Sequence, residues 1–370
     1  MTYLDANATE PLRPQARAAM LAALELTGNP ASVHAAGRAA RRVMEDARES
    51  LAHRFGARAE DIVFTSGGTE ADCLAIQGLA ASRRLLIGAT EHDAIRAAAP
   101  GATVVPVDRL GAIDLERLAS LLAEGPALLC LMHANNETGI VHPIALAADL
   151  CRRFGGWLHV DAVQTAGRIG VDLAACGAHS LALSSHKMGG PAGVGALLLA
   201  PEAAAALRPV ILGGGQERGR RGGTPPVALI AGFAAAAMAS GDGPALAGWR
   251  DAIESAAQAC GATALAAAAP RLPNTASLAL PGVRAETQVI ALDLAGIQVS
   301  AGAACSSGKV TRSHVLDAMG LGTLAGEAIR VSLPWNTTEA DVTAFIAAYR
   351  TIASRLRPGG PADGAWARVG

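Results

Sequence analysis

Short apolar runs alternate with helix-periodic segments through the first two-thirds of the chain. DIVFTS (61–66), RLLIGA (84–89), TVVPVD (103–108), ALLCLMH (127–133), WLHVDA (157–162), HSLALSS (179–185) and VGALLLA (194–200) predict strands. They are apolar at successive positions rather than alternating, the pattern of strands covered on both faces. Between them TEADCLAIQGLAAS (69–82), LERLASLLAEG (115–125) and PIALAADLCRRFG (143–155) carry helical periodicity. This order predicts an α/β layered unit with a mostly parallel sheet. Beyond about Leu246 the pattern changes. An alanine-rich helix leads to NTASLAL (274–280), AETQVIALDLAG (285–296), IQVSAG (297–302) and IRVSLPW (329–335), which predict a smaller α+β unit. The closing RPGGPADGAWARVG (357–370) reads as a frayed tail. The most apolar uncharged run, VALIAGFAAAAMASG from Val227, is short and weakly hydrophobic for a membrane span and predicts a buried helix.

Length and composition narrow this picture. A chain of 370 residues exceeds one ordinary core, so two domains are expected. With 31 basic and 32 acidic residues the net charge is −1, which argues against a nucleic-acid or membrane-surface partner. The N-terminal MTYLDANATE lacks the basic-then-apolar pattern of a signal peptide. The six cysteines (73, 130, 151, 176, 260 and 305) are scattered with no C-x-x-C pair. A disulfide framework or zinc site is therefore not expected, and reduced thiols in a cytoplasm fit better.

Candidate chemistry gathers where strands end. In SSHKMGGPAGVGAL (184–197) a lysine, Lys187, follows an apolar strand directly, with Ser184 and His186 beside it. A lysine desolvated there would have the lowered pKa and nucleophilic amine that a Schiff base needs; a plain turn lysine is the alternative. HVDAVQ (159–164) ends a strand with Asp161, which could pair with the protonated ring nitrogen of pyridoxal phosphate or merely cap the next helix. Gln164, three residues on, could reach the ring hydroxyl. TSGGTEADCLAI (65–76) gives strand, Gly-rich turn and helix, a place for a phosphate on Ser66, Gly68 and Thr69 or simply a tight turn. His92 in ATEHDAI and Asn136 in HANNETG follow two further strands. Convergence of five such ends on one sheet edge is harder to explain by coincidence than any single motif.

Taken together, these motifs resemble those of the cysteine desulfurases, pyridoxal-phosphate enzymes of aminotransferase class V. The resemblance runs nearly end to end, through YLDANAT (3–9), GNPASVHAAGR (28–38), FTSGGTEA, TEH, ANNETG, HVDAVQTAG, SSHKMGGPAGVGAL, GGGQERGRRGGT (213–224), ACSSG (304–308) and IRVSL (329–333). It implies the α/β pyridoxal-phosphate fold type I, aspartate-aminotransferase-like, with a mostly parallel central sheet and a smaller α+β domain. Residues 15–245 would form the large cofactor-binding domain; 1–14 and 246–370 would form the small one carrying the catalytic cysteine. It further implies that Lys187 forms the Schiff base with pyridoxal 5'-phosphate, Asp161 and Gln164 hold the ring, His92 stacks on it and Asn136 contacts its edge. Gly68, Thr69, Ser184 and His186 would bind the phosphate, with Thr224 reaching across from a second subunit of a homodimer. Arg330, with Asn7, would hold the substrate carboxylate, for which the guanidinium fork is suited.

The implied reaction converts L-cysteine to L-alanine. Lys187 removes the Cα proton, the substrate sulfur becomes electrophilic, and Cys305 attacks it as thiolate to become a persulfide. Only about 3% of an unshifted thiol is ionised at pH 7, so His92 is expected to serve as proton acceptor or donor, with Lys187 the alternative. The persulfide then passes to a sulfur-acceptor or iron–sulfur scaffold protein. Small residues around Cys305 suit a loop that swings, and the distance from Cys305 to SHVL fits the longer-loop group. The other five cysteines are expected in core packing. The chain departs from the family pattern at Ala6, Cys73, His142 (where Gln is expected), TPPV (224–227) and KVTR (309–312). Rival readings are another class V enzyme, such as a selenocysteine lyase or transaminase, and a cofactor-binding sulfur relay without turnover. No metal site is expected.

Overall fold

A computed structural model describes residues 1–81, 83–241, 245–302 and 312–356. The predicted tail and Cys305 lie outside the described residues. The central sheet has seven strands: β2 (Ile62–Thr65), β3 (Arg84–Gly88), β4 (Thr103–Val105), β5 (Ala127–Met132), β6 (Trp157–Asp161), β7 (Ser180–Ser184) and β8 (Gly195–Leu199). Their order is β2-β8-β7-β6-β5-β3-β4. Only β8 runs against its neighbours; the other pairings are parallel. The seven predicted strands thus all form, in one mostly parallel sheet. TVVPVD is shorter than expected, because Pro106 has no N–H for the ladder.

Helices α1 (Pro14–Leu24), α2 (Ala35–Arg54), α3 (Gly68–Leu79), α4 (Asp93–Ala98), α5 (Leu115–Leu122), α6 (Ile144–Arg153), α7 (Leu173–Cys176), α8 (Pro201–Ala206) and α9 (Val227–Ala239) cover this sheet. Each face carries its own apolar cluster, one around Leu51, Phe55, Leu129 and Phe233, the other around Leu74, Ile76, Leu128 and Leu197. That two-sided cover is why β5, β7 and β8 are buried at every position. The VALIAGFAAAAMASG run is α9, packed on α1 and α2. No helix among the described residues is long and apolar enough to cross a membrane.

A second sheet, β12-β13-β10-β9, is built from β9 (Thr263–Leu265), β10 (Thr275–Ala279), β12 (Ser300–Ala301) and β13 (Ala328–Ser332). Helices α10 (Ala245–Ala259), α11 (Ala285–Leu294) and α13 (Glu339–Leu356) enclose a separate core around Ile253, Leu278, Ile329 and Phe345; α12 (His314–Ala318) lies beside it. The first residues belong here: β1 (Thr2–Tyr3) pairs with β11 (Ile297–Gln298). Cys130 and Cys151 are buried as expected, and Cys176 and Cys260, partly buried, pack against the two cores; Cys73 is partly buried and belongs to none of the apolar clusters, so core packing describes four of the five.

After β5 the chain makes a tight turn over 135–139, closed by Gly139 N–H on the Asn135 carbonyl at 2.9 Å. Gly139 sits at φ +76°, where a Cβ would also strike Thr275 at 2.9 Å. Beyond the turn lies His142, fully enclosed, its Nδ1 accepting the Ile113 N–H at 3.3 Å. Burial holds its pKa down at about 4. The unfolded chain takes up a proton below about pH 6.5 that the folded chain refuses until about 4, so the stability tied to neutral His142 is full above about 6.5 and is lost as pH falls. His142→Gln, which installs the family's expected residue, removes this dependence. Urea unfolding at pH 7 and 4.5 should show the wild type losing on the order of 2 kcal/mol relative to His142→Gln; an unchanged gap would refute it.

Candidate active site

The parallel strands β2, β3, β5, β6 and β7 deliver their carboxyl ends, and β8 its amino end, to one sheet edge. A cavity of about 320 Å³ opens there. Asn7, Gly68, Thr69, His92, Asn136, Asp161, Gln164, Ser184, His186 and Lys187 all line it. Of the residues proposed for the site from the sequence, Arg330 and Thr224 do not, and Cys305 is outside the described residues.

Each side chain is set by its element. The Gly67–Gly68 turn starts α3 at the cavity wall, so the helix's first N–H groups and its positive end face inward. A Cβ at Gly67 would meet nothing nearer than the Ser184 Oγ at 4.0 Å, leaving a shallow cradle. Glu70, in the first turn, accepts the Ser66 N–H at 2.8 Å and is gripped bidentately by Arg221 at 2.7 and 3.1 Å. Lys187 follows β7 in a 3₁₀ turn, and its Nζ donates to the carbonyls of Asn7 and Ala8, the latter at 2.9 Å. His92 caps α4 by accepting the Ala94 N–H at 3.1 Å. Gln164 donates to the Asn7 carbonyl at 3.0 Å while its own oxygen accepts from buried Arg168, which also reaches the Ala6 carbonyl at 3.0 Å. Arg168 thereby ties the N-terminal strap to the sheet edge.

The electrostatics are those of a buried acid cluster. Asp161 takes the Val163 N–H on Oδ1 at 2.9 Å, yet burial still raises its pKa, against the opposing pull of His92 and Lys187. Burial likewise pushes Asp72 and Glu91 well up, and neighbouring carboxylates add to it. Asp72 lies 3.1 Å from the Nε2 of His159, whose Nδ1 is 2.8 Å from the Ser180 hydroxyl. Burial holds His159 down at about 3, so its imidazole is neutral at ordinary pH. His186, 3.1 Å from the Thr9 hydroxyl, is held at about 4 by burial and then by Lys187 and Arg168.

The donor set fits pyridoxal phosphate. Its phosphate would meet the Gly67–Gly68 cradle at the start of α3 with Thr69 and Ser184, its protonated ring nitrogen would meet Asp161, and its carbonyl carbon would meet Lys187. Arg330 stands apart. It is 1% exposed, donates to Asp5 Oδ1 at 2.8 Å and to the Asn136 carbonyl at 3.1 Å, and its Nε has no partner. The Asn7 side chain is similarly engaged, by the Asn136 carbonyl and the Thr275 hydroxyl, each at 3.0 Å. Thr224 is exposed. Reading by sequence missed Asp72, Glu70 and Arg168. Their only signal was an ionisable residue inside an otherwise apolar or Gly-rich motif. Gly195 lies under the cradle, where a Cβ would come within 2.5 Å of the Leu183 carbonyl and 2.7 Å of Gly67. Gly195→Ala should weaken pyridoxal phosphate retention at least about tenfold through a shifted cradle. Gly170→Ala, with open space around it, should not; equilibrium dialysis followed by absorbance compares them.

Residues 2–345 match the class-V aminotransferase family. A cysteine desulfurase of Cereibacter sphaeroides is 42% identical over 374 residues, 96% of each chain. Among solved structures, a NifS-like protein superposes with a TM-score of 0.87 at 34% identity, covering 96% of this chain and all of that one. SspA, solved in complex with cysteine, gives 0.81 at 29% identity over 90% of this chain and 99% of that one. A match of this length and depth places the chain in the cysteine desulfurase family of class-V aminotransferases, pyridoxal-phosphate-dependent enzymes of α/β fold.

Proposed function

We propose that this chain converts L-cysteine to L-alanine and passes the sulfur, as a persulfide on Cys305, to an iron–sulfur scaffold or other acceptor protein. One observation carries the reading: Asp161, Lys187 and the start of α3 meet in one cavity, in a chain 42% identical to a cysteine desulfurase. When bound, pyridoxal phosphate supplies an electron sink for bond breaking at the substrate's Cα and Cβ. Gly68, Thr69, Ser184 and neutral His186 hold its phosphate; Asp161 keeps its ring nitrogen protonated; Gln164, His92 and Asn136 orient the ring. The Lys187 amine takes the Cα proton of L-cysteine. Arg330, with Asn7, steers the substrate carboxylate, a role that requires Arg330 to exchange Asp5 for the substrate. The Cys305 thiolate attacks the substrate sulfur, an S–S bond forms as the C–S bond breaks, and His92 manages the proton.

The reading extends to a homodimer in which Thr224 completes the partner's phosphate site. Its support is that Thr224 is exposed and is not among the residues lining its own cavity, in a segment that follows the exposed Val210, Ile211 and Leu212 in the chain. It places the protein in the cytoplasm, in keeping with the free thiols of the described cysteines. It also divides the chain into a large unit, 15–245, and a small one, 1–14 with 246–370, supported by the separate apolar cores and the β1–β11 pairing.

Alanine formed from L-cysteine under a thiol reductant tests the reaction. Wild type should turn over, Cys305→Ala should retain the yellow cofactor and make no alanine, and Lys187→Ala should lose about 10²–10⁴-fold or more. Equal alanine from wild type and Cys305→Ala would instead indicate a lyase that needs no thiol. Sedimentation showing a fully active, cofactor-saturated monomer would remove Thr224 from the site.

A further inference from the structure

Strand β2 is the edge of the central sheet, paired on one side by β8. Main-chain groups on an open edge need partners. Here two carboxylates supply them. Phe64 N–H donates to Glu217 Oε2 at 2.9 Å, and Ser66 N–H donates to Glu70 Oε2 at 2.8 Å. These donors lead directly into the Gly67–Gly68 turn. Each carboxylate is in turn gripped by an arginine fork. Arg48 of α2 holds both oxygens of Glu217, at 2.8 and 2.9 Å, and reaches the Ile62 carbonyl at 2.9 Å. Arg221 holds both oxygens of Glu70, at 2.7 and 3.1 Å. Glu217 and Arg221 belong to one segment, GGGQERGRRGGT (213–224). From 208 to 224 only Gly222 is buried, so polar contacts rather than apolar packing hold the segment down. Its backbone is strained: Glu217 and Arg218 sit at φ +48° and +57°, left-handed positions that residues other than glycine seldom occupy. Such strain persists only where the surroundings over-determine it, and the Glu217 side chain, 3% exposed, is fixed in this way.

We propose that Glu217 and Arg221 are positioning residues for the phosphate cradle of their own subunit. The cradle is made of main-chain N–H groups, so its shape depends on where residues 64–68 lie. The pairing with β8 fixes one side of that strand, and the 213–224 segment fixes the other. Glu70 joins the two, because it lines the cavity from the first turn of α3 and receives the Arg221 fork. Although burial pushes its carboxyl up, Arg221 and Ser66 hold it below the ordinary value, so Glu70 is ionised at neutral pH. An ionised carboxylate on the cavity wall repels a phosphate, and the Arg221 guanidinium offsets that charge. Loss of Arg221 therefore harms the cradle twice, by loosening Glu70 on Ser66 and by leaving a bare carboxylate beside the anion. A clamp that only protected an open sheet edge would not single out the phosphate from the rest of the ligand. The inference goes beyond the assignment of Thr224 to a partner's site and rests on the Gly67–Gly68 turn as the phosphate-binding element.

The test titrates the full-length chain, stripped of cofactor, with pyridoxal 5'-phosphate and with pyridoxal, which lacks the phosphate, and follows absorbance. Thermal unfolding of each stripped variant checks that it is folded. Wild type should favour the phosphorylated ligand. Arg221→Met should weaken pyridoxal phosphate about tenfold or more, the scale of a hydrogen bond to a charged group, and leave pyridoxal near wild type. Arg221→Lys, which keeps the charge and loses the fork, should be partly rescued. Glu217→Gln should show a smaller loss of the same kind. The double variant Glu70→Gln/Arg221→Met should lose less than Arg221→Met alone, because no bare carboxylate remains beside the phosphate. Arg284→Met, which breaks an exposed pair with Glu286 elsewhere in the chain, should change neither constant. Equal weakening of both ligands in Arg221→Met would mean that the clamp only supports the fold and would overturn the proposal, as would wild-type preference for the phosphorylated ligand in that variant. A wild type that binds the two ligands equally would instead remove the phosphate from the Gly67–Gly68 turn, and the proposal with it.

Discussion

Three carboxyl groups, Asp72, Glu91 and Asp161, lie buried around one end of the sheet, and the architecture of the site depends on how their charge is accommodated. A carboxylate removed from water is costly unless it is hydrogen-bonded, paired or protonated. Each group meets that demand differently. Glu91 accepts the Met132 N–H on both oxygens, at 3.0 and 2.9 Å, and so serves the end of β5. Asp72 has the enclosed His159 ring nitrogen at 3.1 Å. Asp161 has one main-chain N–H and the fields of His92 and Lys187, and it alone of the three ends a strand at the cavity. Asp161 offers acceptor oxygens at one side of the cavity, and the start of α3 offers N–H donors at the cradle. A zwitterionic ring-phosphate ligand matches this polarity.

The second constraint is the joining of two cores. The strap 5–10 crosses between them: Ala6 N–H bonds to the Ser332 carbonyl at 3.0 Å, while the carbonyls of Asn7 and Ala8 receive Lys187. The 135–141 turn makes the reciprocal crossing, with Leu272 N–H on the Gly139 carbonyl at 2.7 Å and Val141 N–H on the Pro270 carbonyl at 2.8 Å. The Asn136 carbonyl is the meeting point, accepting from both Asn7 and Arg330. A cavity built on the first core is thus walled by chain that the second core fixes. Glu137 adds to the same junction, its Oε2 accepting the Ser313 hydroxyl at 2.6 Å.

Much of this was legible before any coordinates. Apolar runs of strand length could hardly be anything but covered strands, and those predicted in 61–200 all formed, TVVPVD alone being cut to half its expected length. The motifs at strand ends were also readable, because in a parallel sheet the carboxyl ends of the strands face one edge; Asp161, Lys187, His92, Asn136 and Thr69 duly line one cavity. What stayed hidden were partners far apart in sequence. Nothing near residue 72 announces His159, nothing near 137 announces Ser313, and the hold of Arg168 on Ala6 spans 162 residues.

The order of hydrophobic and polar residues by itself determined the sheet, its helical cover, the change of pattern near residue 246 and the family to which the chemistry belongs. These follow from local periodicity and from motifs whose residues are contiguous, so the information is present in short windows. Only the tertiary structure decided that Arg330 is ion-paired with Asp5, that three of the five described cysteines are not fully buried, and that Glu137 accepts the Ser313 hydroxyl. Burial and charge pairing depend on which distant segments pack together, and a one-dimensional pattern does not contain those distances.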